Sequence, residues 1–116
     1  MNEQLMKERI QKLVSERDWQ RFHTPKNLVM ALAGEAGELV EIFQWLTDEQ
    51  AQKIMEDGAK ASEVRDELAD IFYYILRLSM VLKIDLEEAF NQKLDKTEKK
   101  YPVELAKGNA RKYTEF

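Results

Sequence analysis

Two pairs of acidic residues constrain this chain more than any other feature of its sequence. Glu35 and Glu38 form the first pair, Glu67 and Asp70 form the second, and each pair is set among apolar or small residues. On a helix, residues three apart project from the same face about one turn apart. Four carboxylates brought together between packed helices would be strongly destabilising unless their charge were offset. Because Mg²⁺ requires oxygen ligands in octahedral arrangement, the pattern predicts a magnesium site built from all four acids.

Magnesium is not the only group that could compensate the acids. Arg65 and Arg77 lie on the same expected helix as the second pair and could neutralise the charge structurally. A di-iron site is the rival metal centre, and it needs Glu-x-x-His motifs. The only histidine, His23, is far from both pairs, so the di-iron interpretation fails. Arginine pairing stays open beside magnesium.

The composition favours one helical domain. With 116 residues the chain can build a core of its own, and we expect a single domain over residues 1–116. Only four Gly and two Pro occur, and strand-like alternation is absent, which predicts an all-α fold. The absence of cysteine excludes disulfides, zinc–thiolate sites and thiol catalysis, and it is compatible with a cytoplasmic protein. The polar N-terminus and the lack of a long apolar run argue against a signal peptide and a membrane span.

The charge balance limits the partners. Eighteen basic against 22 acidic residues give a net charge of −4, without the broad basic face that a nucleic-acid polymer needs. A single nucleotide is not excluded, since a metal ion and a few cations can hold its phosphates. Lys93 is a candidate for such a contact.

Periodicity and capping signals predict the order of helices. Two glycines inside the second helix, Gly34 and Gly37, each cost about 1 kcal/mol relative to Ala, so we expect another helix or a ligand to approach closely there. The long helices are apolar around most of their circumference, which predicts association of protomers. The expected elements are a helix over 3–16, one from Thr24-Pro25 to about Trp45, a short one from Thr47 to Gly58, one over Ala59–Leu82, one from Asp85 to before Pro102, and an extended tail over 103–116.

The acidic motif and several other blocks resemble a known family. Glu35-x-x-Glu38 followed by Glu67-x-x-Asp70 is similar to the signature of the MazG-like, all-α nucleoside triphosphate pyrophosphohydrolases. The resemblance covers about residues 5 to 116. Blocks that resemble the dCTP pyrophosphatase branch are Arg17-Asp18-Trp19, Phe22-His23, Pro25-Lys26-Asn27-Leu28, Phe43-Gln44-Trp45, Tyr101-Pro102 and Arg111-Lys112-Tyr113-Thr114-Glu115.

The resemblance implies a fold, an activity and an assembly. The fold would be four-helix-bundle-like, with two long carboxylate-bearing helices, in a homotetramer or at least a homodimer. The activity would be Mg²⁺-dependent hydrolysis of a deoxynucleoside triphosphate, favouring dCTP or a modified dCTP, to the monophosphate and pyrophosphate as nucleotide-pool house-cleaning. Residues that match nucleotide contacts in the family are Trp19, Gln20, Arg21, Phe22, His23, Trp45 and Tyr74.

The chemistry of these residues agrees with those roles. Aromatic side chains beside a metal–phosphate site are suited to stacking a base, which is worth roughly 1–3 kcal/mol. His23 is expected to contact the base or sugar and not to act as a general base. His23 and backbone carbonyls of residues 17–23 are the candidates for recognising the exocyclic amine of cytosine.

Catalysis requires a nucleophile that the chain does not supply. Without an evident Ser, Cys or His nucleophile, a metal-bound or metal-oriented water must attack phosphorus. We expect Glu38 to be both a metal ligand and the base that activates this water. Two positions depart from the family pattern: Thr97, which can still donate a hydrogen bond, stands where Asn is common, and Ile10 stands where some relatives have His.

Two non-enzymatic functions remain as alternatives. A helical module that binds a partner protein without catalysis would explain the amphipathic helices but not acids set in apolar sequence. A single-strand nucleic-acid binder using Trp19 and Trp45 would need a basic groove, which the net charge of −4 does not supply.

Overall fold

A computed structural model describes residues 1–116, and all of its regular structure is helical. This confirms the all-α prediction. No helix combines the length and the apolar character that crossing a bilayer requires. The α-helices are α1 (Glu3–Glu16), α2 (Pro25–Phe43), α3 (Asp48–Gln52), α4 (Gly58–Leu82), α5 (Leu86–Lys100) and α6 (Val103–Ala106). Three 3-10 turns span Gln20–Phe22, Ile54–Glu56 and Tyr113–Glu115.

Side-chain caps start the helices where the sequence predicted them. Thr24 Oγ1 accepts the backbone N–H of Asn27 at 3.2 Å, with Pro25 as the first residue of α2. Thr47 and Gln50 form a reciprocal capping box at the start of α3. Each cap satisfies an N–H that has no partner within the helix, an effect worth about 1 kcal/mol.

The boundary before α4 differs from the prediction. We expected the preceding helix to stop near Gly58 and the next to begin at Ala59, whereas Gly58 is already the first residue of α4. Asp57 Oδ1 accepts the N–H groups of Ala59 and Lys60 at 3.1 and 3.2 Å and so starts the helix one residue earlier. The connector expected to be exposed is also anchored, because Ile54 is buried.

Residues Met1–Lys83 form one compact unit around α4. Helices α1 and α2 both pack on α4, and α2 makes the more extensive contact. On α2 only Leu28 is buried, so much of its apolar surface stays open to solvent. The buried apolar residues of the unit are Ile10, Val14, Leu28, Ile54, Ala61, Val64 and Leu76.

No part of this chain approaches the two glycines of α2 closely. A Cβ added at Gly34 or Gly37 would meet no atom within 4 Å, so no other helix of this chain fills the space beside them, and the close approach of a helix or a ligand stays a prediction. Glu35 and Glu38 project toward α4, and each glycine precedes one of them by one residue. Gly37 precedes Glu38 by one residue and follows Glu35 by two, so it is turned roughly 100° and 160° away from them and lies off the face that contacts α4.

Residues Ile84–Phe116 form a second compact unit. The tail over 103–116 is not extended as expected, since it contains α6 and a 3-10 turn. Tyr101 makes edge-to-face contacts with Tyr113 and Phe116, with ring centroids 6.0 and 5.7 Å apart, and these contacts fold the tail back. The single domain over residues 1–116 stays a prediction.

Candidate metal and nucleotide site

Helices α2 and α4 bring three of the four predicted ligands together. Each of Glu35, Glu38 and Glu67 offers a carboxylate oxygen, and these oxygens all lie within 4.8 Å of one another. Glu35 and Glu67 are half-buried, whereas Glu38 is exposed. Asp70 is exposed one turn further along α4 and lies outside this group, although its charge acts on Glu35. We call Glu35, Glu38 and Glu67 the carboxylate cluster.

No cation of the chain compensates this cluster. The chain's four ion pairs join residues three or four apart, and none of them includes a cluster residue. The Oε2 atoms of Glu35 and Glu67 are buried without a hydrogen-bond partner. Arg77 bonds to His23 and Gln11 instead of to an acid, so arginine pairing does not explain the cluster. Unpartnered buried carboxylate oxygens are costly, and an oxygen-only donor set fits a hard divalent cation.

The crowding of acids changes their protonation. A protonated Glu67 can donate a hydrogen bond to the Glu35 carboxylate, and this bond, burial and the proximity of Glu38 raise the pKa of Glu67 to about 8. For Glu35, the hydrogen bond with Glu67 lowers the pKa, but burial and the neighbouring Glu38 and Asp70 outweigh it, so the pKa is raised overall. In the absence of a cation, the Glu35–Glu67 pair therefore holds a proton at neutral pH.

A groove of about 370 Å³ opens beside the cluster, lined by Glu38, Glu41, Ile42, Lys60, Glu63 and Glu67. Glu41, Glu63 and Lys60 were not among the predicted site residues. The sequence could have indicated Glu41 and Glu63, because Glu41 follows Glu38 by three residues and Glu63 precedes Glu67 by four. Residues at these spacings share one face of a helix. Lys60 is the one cation of this lining and is placed to contact an anionic ligand.

Tyr74 lies close to the acids, as its spacing from Asp70 predicted. Burial raises the pKa of Tyr74, and the charges of Glu35 and Asp70 raise it further. Tyr73 contacts the Tyr74 ring edge-on, with centroids 5.0 Å apart. The half-buried Tyr74 ring is thus held beside the carboxylates by packing on its own helix.

The Arg17-Asp18-Trp19 block ends α1, and Trp19 lies at the surface. The N–H groups of Trp19 and Asp18 donate to the carbonyls of Val14 and Ser15 at 3.0 and 3.2 Å, which is the Schellman pattern. Asp18 is left-handed, with φ of 53°, a conformation that Asp tolerates better than most residues. Trp19 remains 40% exposed, so it is not a core residue.

The residues after Trp19 are fixed by several short contacts. Gln20 Nε2 donates to Ser15 Oγ at 3.4 Å, and Asn27 Nδ2 donates to the Phe22 carbonyl at 3.0 Å. The Arg21 guanidinium lies 4.8 Å from the centre of the Phe22 ring. These contacts keep residues 20–22 in a defined conformation, although the segment has little regular structure of its own.

His23 is half-buried next to Trp19, with ring centroids 6.3 Å apart. Its Nδ1 accepts a hydrogen bond from Arg77 Nε at 2.9 Å. Burial, followed by the charge of Arg77, lowers the pKa of His23. The imidazole is therefore neutral at pH 7.

The remaining predicted contacts are exposed. Trp45 follows the end of α2 and is 87% exposed, which rules out a core position in this chain. Lys93 lies on α5, in the unit Ile84–Phe116, and its carbonyl accepts the Thr97 hydroxyl at 3.0 Å. The single Thr97 donor is therefore used within its own helix and is not free for a phosphate.

A larger groove of about 710 Å³ lies between α1 and α4. Its walls are mainly apolar and include Ile10, Leu13, Phe72 and Leu76, with Asp70 on one side. Of the predicted site residues, Asp70 lines it, and Arg17 at the start of the candidate stretch 17–23 does so as well.

Comparison with known proteins identifies relatives over most of the chain. The profile of the MazG-like family matches residues 31–116. The protein dCTP pyrophosphatase 1 of Bos taurus is 41% identical over 102 residues, which make up 88% of this chain and 60% of the relative. Its Homo sapiens counterpart is 40% identical with the same coverage. This chain thus spans about 60% of the length of these relatives.

A solved structure has a similar fold. The crystal structure of a pyrophosphatase from Archaeoglobus fulgidus gives a TM-score of 0.77 at 36% sequence identity. The match covers 82% of this chain and 87% of the archaeal chain.

Proposed function

Since the chain belongs to the MazG-like family, we propose that it hydrolyses a deoxynucleoside triphosphate to the monophosphate and pyrophosphate in a Mg²⁺-dependent reaction. The observation that carries this proposal is the pair of buried, unpartnered Oε2 atoms of Glu35 and Glu67 beside Glu38. A protein-interaction module gives no reason to retain such a cluster. The archaeal pyrophosphatase with a similar fold supports the same reaction class.

The donor set fits magnesium. Its members are all carboxylate oxygens, and the chain supplies no cation to neutralise them. Glu35, Glu38, Glu67 and Asp70 would hold Mg²⁺, which would offset the charge of the triphosphate and of the leaving pyrophosphate.

The other steps belong to side chains of the groove. Glu38 is the exposed member of the cluster and lines the groove, which supports the proposal that its carboxylate accepts a proton from the attacking water. Lys60 on the opposite helix binds a phosphate oxygen. The half-buried Glu35 and Glu67 keep their oxygens directed into the site.

The favoured substrate is dCTP or a modified dCTP. The Bos taurus and Homo sapiens relatives are both named dCTP pyrophosphatase 1, and the chain retains the aromatic blocks around Trp19 and Trp45. Both tryptophans are exposed, as residues that stack on a base must be, and Tyr74 lies beside the acids. Such an activity would serve nucleotide-pool house-cleaning in the cytoplasm.

We also propose that the chain acts as a homotetramer, or at least a homodimer. Helix α2 exposes Val29, Met30 and Val40 by 50%, 66% and 61% of their surfaces. Apolar area of this kind on a helix is a common site of association. Gly34 and Gly37 have no neighbour within 4 Å and would admit a helix of a second copy.

The proposal is tested by replacing each acid with its amide. Turnover of dCTP, measured as pyrophosphate release at saturating Mg²⁺, should be abolished while helix content stays native. Asp66→Asn removes one exposed charge from the same helix and serves as the control with normal activity. If two of the four variants retained near-normal activity, the metal assignment would be wrong. The variants are Glu35→Gln, Glu38→Gln, Glu67→Gln and Asp70→Asn. Measuring pyrophosphate release from each of the four deoxynucleoside triphosphates identifies the preferred base.

A further inference from the structure

Arg77 is a buried cation whose hydrogen-bond partners are both neutral. Its side chain is only 6% exposed. Its Nε donates to His23 Nδ1 at 2.9 Å, and its Nη1 donates to Gln11 Oε1 at 3.5 Å. It forms no ion pair with a carboxylate, so charge neutralisation does not explain its burial. The contact with His23 joins residues 54 positions apart in the sequence.

The chemistry of the two groups settles where the imidazole proton lies. A guanidinium has five N–H donors and no acceptor. The ring nitrogen that faces Arg77 must therefore be unprotonated, because an N–H there would oppose the Arg77 N–H. The neutral ring carries its one proton on the other nitrogen, Nε2. An imidazolium would place two N–H groups and two positive charges against each other.

Helix α4 also relates Arg77 to the carboxylates. Asp70, Tyr74 and Arg77 are separated by four and then three residues, so they follow one face of the helix. Seven residues from Asp70 to Arg77 correspond to about 10 Å along the axis. A nucleotide whose phosphates lie at the acids can extend over such a distance, with its base toward His23 and Trp19.

We propose that Arg77 is a positioning residue that fixes His23 as an Nε2–H donor, and that this donor recognises a hydrogen-bond acceptor on the nucleobase. The proposal rests on the nucleotide hydrolase function and specifies how the base is recognised. It replaces the expectation that His23 accepts the exocyclic amine of cytosine. Cytosine offers acceptors at N3 and O2, whereas N3 of thymine carries a proton, so a donor directed at N3 would favour cytosine.

The tautomer can be observed directly, since His23 is the only histidine. Nitrogen NMR of the imidazole in the nucleotide-free protein should show a bare Nδ1 and a protonated Nε2. A proton on Nδ1 in the unaltered protein overturns the proposal. Arg77→Met removes the donor and should give a mixture of tautomers, whereas Arg77→Lys keeps a side chain with donors only and should keep the Nε2–H form.

A control and a second outcome complete this measurement. Arg65→Met removes an exposed arginine from the same helix and should leave the tautomer unchanged. If Arg77→Met also leaves it unchanged, Arg77 does not fix the ring and the proposal fails. Should Arg77→Met not fold, the spectra of the unaltered protein and of Arg77→Lys still decide, because both must show Nε2–H.

Recognition is tested with a cytosine analogue that lacks the amine, the deoxynucleoside triphosphate of pyrimidin-2-one. His23→Ala should weaken calorimetric binding of dCTP and of the analogue alike, by about 3- to 10-fold, as for loss of one hydrogen bond. A loss confined to dCTP would show that His23 accepts the amine, which overturns the proposal. The NMR result does not depend on turnover. A protein with the Nε2–H tautomer that hydrolyses no nucleotide would therefore refute the proposed function without refuting the role of Arg77 in fixing the ring.

Discussion

Mg²⁺ binding at the carboxylate cluster should release a proton, because Glu67 keeps its proton up to a pKa of about 8. A carboxyl group with that pKa is about 90% protonated at pH 7, so binding should release about 0.9 proton per site. The apparent affinity for Mg²⁺ should fall about tenfold for each pH unit below about 8 and become constant above it.

Calorimetry provides the assay. Titrating the nucleotide-free protein with MgCl₂ at pH 7, in two buffers of different ionisation enthalpy, counts the protons released. Glu67→Gln should bind Mg²⁺ more weakly and release no proton from this position. Asp66→Asn, which alters an exposed neighbour on α4, should behave like the unaltered protein. An affinity that does not change between pH 6 and 8, or zero proton release at pH 7, would refute the reasoning about Glu67.

Three further predictions concern stability, substrate binding and assembly. Because the pKa of Glu67 in the folded chain is about 8 and its ordinary value is 4.5, the folded state binds more protons than the unfolded state between these pH values. The stability of the metal-free protein should therefore fall as pH rises through this window, and thermal melts of Glu67→Gln should lose that component. Trp19→Ala and Trp45→Ala should each raise the KM for dCTP about 10-fold, and an unchanged KM in both would exclude them from the base site. Sedimentation at micromolar concentration should show an oligomer that Met30→Glu dissociates, whereas a stable monomer would contradict the exposed α2 face as an interface.

Features that depend on local spacing could be predicted from the sequence. The carboxylate pairs need only a helical repeat of about 3.6 residues, and the caps at Thr24 and Thr47 need only three residues of context. Tyr74 could be predicted to lie beside the acids for the same reason, because it follows Asp70 by four residues on one helix. These elements required no knowledge of how the helices pack.

Features that depend on packing could not be predicted in this way. The contact of Arg77 with His23 joins residues 54 positions apart, and no periodicity relates them. Gly34 and Gly37 suggested a close neighbour, but only the packing of α2 shows that this chain leaves their side open. The protonation of Glu67 likewise depends on Glu35 from another helix.

The unbroken course of α4 from Gly58 to Leu82 restricts how the gene can change. One residue inserted between Glu67 and Arg77 would rotate everything after it by roughly 100° about the helix axis, separating the acids from the arginine that contacts His23. Substitutions in this stretch preserve the alignment, whereas insertions and deletions destroy it. A change in the length of the connector between Gln44 and Asp57 leaves the register of α4 intact, provided that Trp45 and the buried Ile54 keep their positions. Changes in chain length can therefore be accommodated between the two acidic helices but not within the second of them.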